Sequence, residues 1–270
     1  MPPAVTSELD RAAARSSPRC QEAQRFRTRW GPEDCLNSRD LGGLRLLSGG
    51  HTEFGRVFRA AVGRQAVPEV VRILARTIGS PVHFVDLRSP REVLDSVTTT
   101  CSHPDVVVHR FPLHDPQFSD VAHHLRTPSA FSRHYGALIR PAVPAVAAVA
   151  ELAAGGHIPV VIGCRLGKDR TGVVTILLLH LAGVRLADIA NDFALTARAF
   201  RRFPTQVAAL ATVHGEPPAE VMRRCELPAS VARHLLLRLS QIPGGRAAAW
   251  ELLGVNRVVA EAARSSLKIE

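Results

Sequence analysis

Long apolar runs are missing from this chain. No stretch approaches the roughly 20 consecutive apolar residues of a membrane-spanning helix, so stable membrane insertion is not expected. The first 20 residues lack a basic segment followed by an apolar one, which argues against a signal peptide and for a soluble, cytoplasmic protein. Paired cysteines are missing too. The five present, Cys20, Cys35, Cys101, Cys164 and Cys225, are widely spaced and form no Cys-x-x-Cys pair. Neither a disulfide framework nor a structural zinc site is indicated. His123 and His124 are neighbours, with His103, His109, His114 and His134 nearby, but no HExxH-type spacing occurs. No metal and no cofactor is therefore expected. Lysine is nearly absent, found only at Lys168 and Lys268, so the net charge of +10 is carried by arginine. Beside abundant Ala, Val and Pro, that pattern reads as a coding bias. The arginines are dispersed, with pairs at Arg201/Arg202 and Arg223/Arg224 but no longer block, which argues against a nucleic-acid partner. An anionic small partner steered by the summed field fits the same charge.

What is present suffices for one substantial core: 270 residues, 46% of them hydrophobic. Residues 1–25 are rich in Ala, Arg, Ser and Glu without a stable apolar period and read as a tail. The remainder, 26–270, reads as a single domain. A turn-rich segment at Asn37–Gly43 precedes a short apolar run through Arg56–Arg59. Helical spacing follows at Val67–Ile78, then β-branched and aromatic runs at Val82–Leu87 and Val106–Phe111. A long Ala/Val helix is expected after Pro141, ending at Gly155 and Gly156. A strand at His157–Ile162 leads through a glycine-containing loop into an apolar helix over Gly172–Leu181. Strands alternating with helices predict an α/β fold with a short, mostly parallel sheet flanked by helices. From Leu186 onward the chain reads as helices punctuated by proline and glycine.

The loop after that last strand carries the chemistry. Cys164 is followed six positions later by Arg170, and Thr171 and Gly172 then open the helix. A cysteine between a buried strand and a helix N-terminus sits where backbone N–H groups converge and the helix dipole is positive. Such a place binds a phosphate-sized dianion and favours thiolate over thiol. Arg165, Leu166, Gly167 and Lys168 supply the loop that cradles the anion, and Arg170 adds a bidentate clamp that lysine cannot match. Thr171 is placed to donate a hydrogen bond to the sulfur as a leaving group. The set supports two-step phosphoryl transfer through a cysteinyl-phosphate, with no metal required. A general acid is also needed. Asp169 inside the loop and Asp115 after Phe111–His114 are the candidates, with Asp86 a third, also counted in the substrate-binding set. A Walker A loop is excluded, because three residues rather than four separate Gly163 from Gly167 and Asp169 follows Lys168. A sulfurtransferase loop explains the Arg170-Thr171-Gly172 ending less well.

Cys164-x5-Arg170 resembles the signature of the protein tyrosine phosphatase superfamily. The fuller Cys-x-x-Gly-Lys-Asp-Arg-Thr-Gly is similar to its bacterial branch, which includes the mycobacterial tyrosine and lipid phosphatase B. Asn37-Ser-Arg-Asp-Leu-Gly-Gly43 resembles the branch's NxRDxGG, and Arg56-Val-Phe-Arg59-Ala its following strand. Val85–Glu92 resembles its DLRxxxE segment, Gly183-Val184 and Asn191-Asp-Phe193 its GV…xDY pattern, and Gly244–Val255 a C-terminal GGxxxYLxxxGV. The resemblance spans about residues 35–265 and implies a tyrosine-phosphatase-like fold with a helical lid over about 198–238. It implies a phosphate-ester substrate, on phosphoprotein or, in some members, phosphoinositide. Lys168 is then a candidate contact for a second phosphate, and Phe111, Phe118, Phe131 and Phe193 candidate pocket walls. One departure stands out: the family places His before the nucleophile, where this chain has Gly163. In the family that His orients the loop. Its absence and the sparse aromatics leave two alternatives to phosphotyrosine: a phosphorylated small metabolite, or a phosphate-binding module without turnover.

Overall fold

The structure, a computed structural model, describes residues 36–62, 71–73, 75, 81–94, 105–113, 127–157, 159–214, 217–226, 229–241, 250–251 and 253–267. Among the described residues, five strands form one sheet in the order β1-β2-β5-β3-β4. They are β1 (Arg39–Asp40), β2 (Val57–Ala61), β3 (Val82–Asp86), β4 (Val106–Arg110) and β5 (Val160–Cys164). β1 lies antiparallel on β2, and every other pairing is parallel. The mixed α/β architecture with a short, mostly parallel sheet is as expected from the alternation of apolar runs.

Side chains alternate across this sheet with a period of two. Val57, Val85, Val160 and Ile162 point into the principal core, while Phe58, Ala60, Val82, Phe84 and Val161 point into a second cluster on the opposite face. The principal core is covered by α2 (Pro128–Ala154), α3 (Asp169–Leu181), α4 (Leu186–Arg202), α7 (Ala229–Ser240) and α8 (Arg257–Ser266). A short α1 (Pro90–Leu94) follows β3, and α5 (Pro204–His214) and α6 (Pro218–Cys225) lie between α4 and α7.

Helix α2 starts at Pro128, not after Pro141 as the sequence suggests. Proline at an interior position costs about 3 kcal/mol against alanine, so Pro141 marks a helix boundary by local preference. Tertiary burial overrides that preference here: Tyr135 and Leu138 on the earlier turns lie in the core, and Ala142, Val146 and Val149 continue the same face. The start is marked by Thr127, whose hydroxyl accepts from Ala130 N at 3.2 Å, with proline at the first helical position. Arg133–Ala154 is long and apolar enough, by length and composition, to cross a membrane. In this fold it is the helix that lies along the core.

The strand before the reactive loop runs Val160–Cys164, later than expected, so the cysteine is the last residue of the sheet and not part of a free loop. The helix after it begins at Asp169, three residues before the expected Gly172. The tail, most of Val67–Ile78, Asp115, Phe118 and the segment around Gly244 lie outside the described residues.

The expected lid over 198–238 is helical but divides in two. Val231, Ala232, Leu235 and Leu236 of α7 belong to the principal core. Phe200, Phe203, Val207, Val221 and Cys225, from α4 to α6, form a third cluster with Leu36 and Ala61, and Leu166 of the reactive loop packs against it.

Beneath that loop lies a buried ion-pair group. Arg39 Nε and Nη2 reach the Asp192 carboxylate at 2.9 and 3.1 Å, and Arg59 Nη1 reaches it at 3.4 Å. All three side chains are at most 2% exposed. Removing one partner of a buried pair strands the other charge, at a cost of about 3–5 kcal/mol. Asp192→Ala is therefore expected to lower unfolding free energy by about that amount, read from the denaturant midpoint. A loss below about 1 kcal/mol would show that the network is not integral to the fold.

Candidate active site

Cys164 sits at the C-terminal end of the central strand, where open parallel sheets present their crevice. Its backbone is gripped from both sides: Val62 N donates to Cys164 O at 3.0 Å, and Leu87 N to Gly163 O at 2.8 Å. The loop Arg165–Lys168 then turns into α3. Gly167 N donates back to Cys164 O at 3.2 Å, closing the turn. Gly167 has φ +59°, and a Cβ there would lie 2.5 Å from the Ala60 and Ala61 backbone, so only glycine fits. Lys168 is the N-cap of α3, and its side chain makes no capping hydrogen bond there.

Arg170, on the first turn of α3, is held by a two-pronged contact with Glu92. Nη1 meets Oε2 at 2.5 Å and Nη2 meets Oε1 at 2.6 Å, while Nη1 also donates to Leu87 O at 3.3 Å. Burial opposes the Arg170 charge, but the Glu92 hydrogen bonds and the neighbouring Cys164 charge outweigh it and hold its pKa above the ordinary value. Glu92 has a second task. Ser89 N donates to Glu92 Oε2 at 2.7 Å and Glu92 N to Ser89 Oγ at 3.3 Å, a capping box for α1 with Pro90 in first position. Burial would raise the Glu92 pKa, yet the hydrogen bonds and charge of Arg170, with those of Ser89, bring it down to about 2.

Asp169 and Lys168 face inward together. Tyr135 OH donates to Asp169 Oδ1 at 2.6 Å, and Lys168 Nζ lies 3.3 Å from the same oxygen. Lys168 is only 6% exposed, its ammonium 5.7 Å over the Phe131 ring, so it contributes positive potential from within rather than an outward arm. Burial first, and then Asp169, push the Tyr135 phenol well above its ordinary pKa, keeping it a donor. Thr171 is fully buried, and among the described residues its hydroxyl has no hydrogen-bond partner. Asp86 also lies beside the loop, in register with Gly163, but its carboxylate is taken by Arg88 at 2.8 and 2.9 Å and by Arg110 at 3.2 Å. It braces the rim as an ion-paired group. Asp115, the other acid candidate, lies outside the described residues. Phe193, expected as a possible wall, is a core residue packed edge-on against Tyr135.

Gly163 is explained by its surroundings. It faces the second cluster, opposite to Cys164, and a Cβ would lie 2.4 Å from Val62 Cγ1 and 2.9 Å from Phe84 Cε2. Those two side chains occupy the space that a residue before the nucleophile needs.

Asn37, Arg39, Arg59, Glu92 and Asp192 also build the candidate site, and the motifs that contain them give them no role from sequence. The Ser-x-x-Glu spacing at Ser89–Glu92 was the one local signal, since it marks a capping box. Asn37 and Arg59 meet the loop at Gly167 from more than a hundred positions away in sequence, and Arg39 and Asp192 act behind them through contacts just as distant. Among the described residues, no group of three or more His, Cys, Asp or Glu side chains is placed to hold a metal ion.

A cysteine closing a parallel strand, an anion cradle at a helix start and a forked arginine define a class of phosphate-handling α/β proteins. Residues 32–266 match the model of the tyrosine phosphatase family, and the chain belongs to that family. It is accordingly a cysteine-dependent phosphatase with a phosphate-ester substrate. No curated protein matches the chain.

Two outcomes are expected from this geometry. The depressed Glu92 pKa means its stabilising contribution is complete above its ordinary value of 4.5 and is lost as pH falls towards about 2. Glu92→Gln should therefore flatten that part of the stability-against-pH curve and lower kcat/KM about ten- to a hundredfold by freeing Arg170. An unchanged acid limb would refute the pairing. Gly163→Ala should lose about 1–3 kcal/mol by overpacking, without any gain in activity. A variant as stable as wild type, judged by its denaturant midpoint, would show that Val62 and Phe84 yield freely.

Proposed function

We propose that the chain hydrolyses phosphotyrosine on proteins, through a cysteinyl-phosphate intermediate and without a metal ion. The observation that carries this reading is the placement of Cys164 at the end of β5 and Arg170 on the first turn of α3, on either side of one short loop, with Arg170 already oriented by Glu92. In the first step the Cys164 thiolate attacks phosphorus, forming the S–P bond as the P–O bond to the leaving group breaks. A general acid gives the leaving oxygen its proton. In the second step water attacks phosphorus, the S–P bond breaks, the same group takes the water proton, and inorganic phosphate leaves. Arg170 and the loop amides balance the charge on the equatorial oxygens, the part a metal plays elsewhere.

Asp169 and Asp115 remain the two candidates for the acid. Asp169 sits in the first turn of α3 with one oxygen fixed by Tyr135, which leaves the other oxygen for proton transfer. Thr171 offers its otherwise unbonded hydroxyl to the departing sulfur. A reduced nucleophile suits the cytoplasm, where thiols are kept from pairing, and the bacterial branch named above fits the loop sequence.

A phosphorylated small metabolite is the second reading. It is favoured by the cavity between α4, α5 and α6, lined by Phe200, Arg201, Pro204, Val207 and Met222. Phe200 and Val207 belong to the cluster on which Leu166 of the loop packs, so this region can select a small ester by its shape.

Phosphate release from para-nitrophenyl phosphate in EDTA and reducing agent tests the chemistry. Wild type is expected to turn over, and Cys164→Ser to lose at least about a thousandfold. Activity surviving in Cys164→Ser would remove the nucleophile. No turnover by wild type would remove hydrolysis of simple monoesters. Phosphopeptides measured beside small phosphate esters then separate the two substrate readings.

A further inference from the structure

The carbonyl of Gly167 is held from outside the loop by two buried donors. Asn37 Nδ2 reaches it at 2.7 Å and Arg59 Nη2 at 2.7 Å. Both donors are fully buried, so neither bond competes with solvent. Asn37 is itself in the left-handed region, at φ +55°, which asparagine tolerates better than most residues. Its amide orientation is set by its other partner, because Oδ1 accepts from Arg39 Nη1 at 2.6 Å. The oxygen must face the cation, so the NH2 must face Gly167.

Arg59 is committed to the same carbonyl. Its Nη1 lies 3.4 Å from Asp192, its Nε has no hydrogen-bond partner among the described residues, and Arg39 takes the shorter contacts with the aspartate. Burial, then the Arg39 charge, lower the Arg59 pKa to about 9, so it still carries its proton at neutral pH.

A trans peptide carries its C=O and N–H on opposite sides. Fixing Gly167 O on Asn37 and Arg59 therefore turns the Lys168 N–H the other way. If the peptide flipped, two buried hydrogen bonds would break and a carbonyl dipole would point where an anion must sit.

We propose that Asn37 is a positioning residue for oxyanion binding: with Arg59 it holds the Gly167–Lys168 peptide with its carbonyl turned from the anion, so the cradle is shaped before any phosphate arrives. The inference rests on the phosphatase reading of the loop and adds a residue to it from β1's approach, more than a hundred positions away. It is a case of preorganisation, in which the reshaping cost is met during folding and not at binding.

The test uses tungstate, a tetrahedral oxyanion that binds without turnover, titrated calorimetrically into the full-length protein. Asn37→Asp keeps the side-chain shape and the acceptor for Arg39 but puts an acceptor against the Gly167 carbonyl. Asn37→Gly keeps the positive φ and removes the donor while leaving Arg59 in place. Tungstate affinity is expected to fall at least about tenfold in Asn37→Asp and by a smaller factor in Asn37→Gly. Melting temperatures measured on the same samples should not follow that order. Affinities within twofold of wild type in both variants, or losses that simply track melting temperature, would overturn the proposal. If Asn37→Asp does not fold, Asn37→Gly decides alone, an unchanged affinity overturning the role. Wild type that binds no tungstate overturns both this role and the reading of the loop. Wild type that binds and hydrolyses beside an unaffected Asn37→Gly overturns this role only.

Discussion

Two arginines from the first two strands meet one aspartate from α4 beneath the reactive loop, and through Asn37 and Arg59 that buried group is tied to the loop at Gly167. Arg39 takes Asp192 in a fork and orients Asn37, Arg59 leans on the same carboxylate, and Asn37 and Arg59 together grip Gly167. Burying three charges is costly unless each is hydrogen-bonded. Here the bonds that satisfy the charges also shape the loop. Folding and site assembly therefore draw on the same contacts.

The opposite flank of the loop follows a similar economy. Glu92 caps a five-residue helix and grips Arg170 with the same carboxylate. A helix this short is marginal alone, so its N-terminus is anchored by the site as much as the site is anchored by it. Gly163 shows a further adjustment: Val62 and Phe84 fill the room that a larger residue before the nucleophile would take. The thiol-bearing strand is then steadied by apolar contact on one face and by backbone bonds to Val62 and Leu87 along its edges.

Much of the fold was legible in the sequence. The β-branched runs at Val82 and Val106, and the apolar stretch expected at His157–Ile162, fall in the parallel core of the sheet, the last shifted to Val160–Cys164, since period and residue type act locally. The start of α2 was not legible, because Pro141 signals a break locally and only the distant packing of Tyr135 and Leu138 cancels that signal. In the candidate site, the spacing from Cys164 to Arg170 is a signal carried by the local sequence alone. Asn37, Arg59 and Asp192 could be quoted within motifs, but their partners lie far along the chain, and no local pattern says which carbonyl or carboxylate they will meet. Asp86, an acid at the end of β3, is held by two arginines, and no local pattern in the sequence tells which partners it will meet.

The lone tyrosine has a practical consequence. Tyr135 is the only phenol in the chain, and it sits in the core with its hydroxyl on Asp169, one residue from the arginine of the loop. Any tyrosine absorbance band, or the single resonance of a fluorinated analogue, therefore arises from one place. The protein carries a built-in spectroscopic reporter of its own reactive loop, with no background from other rings of the same kind.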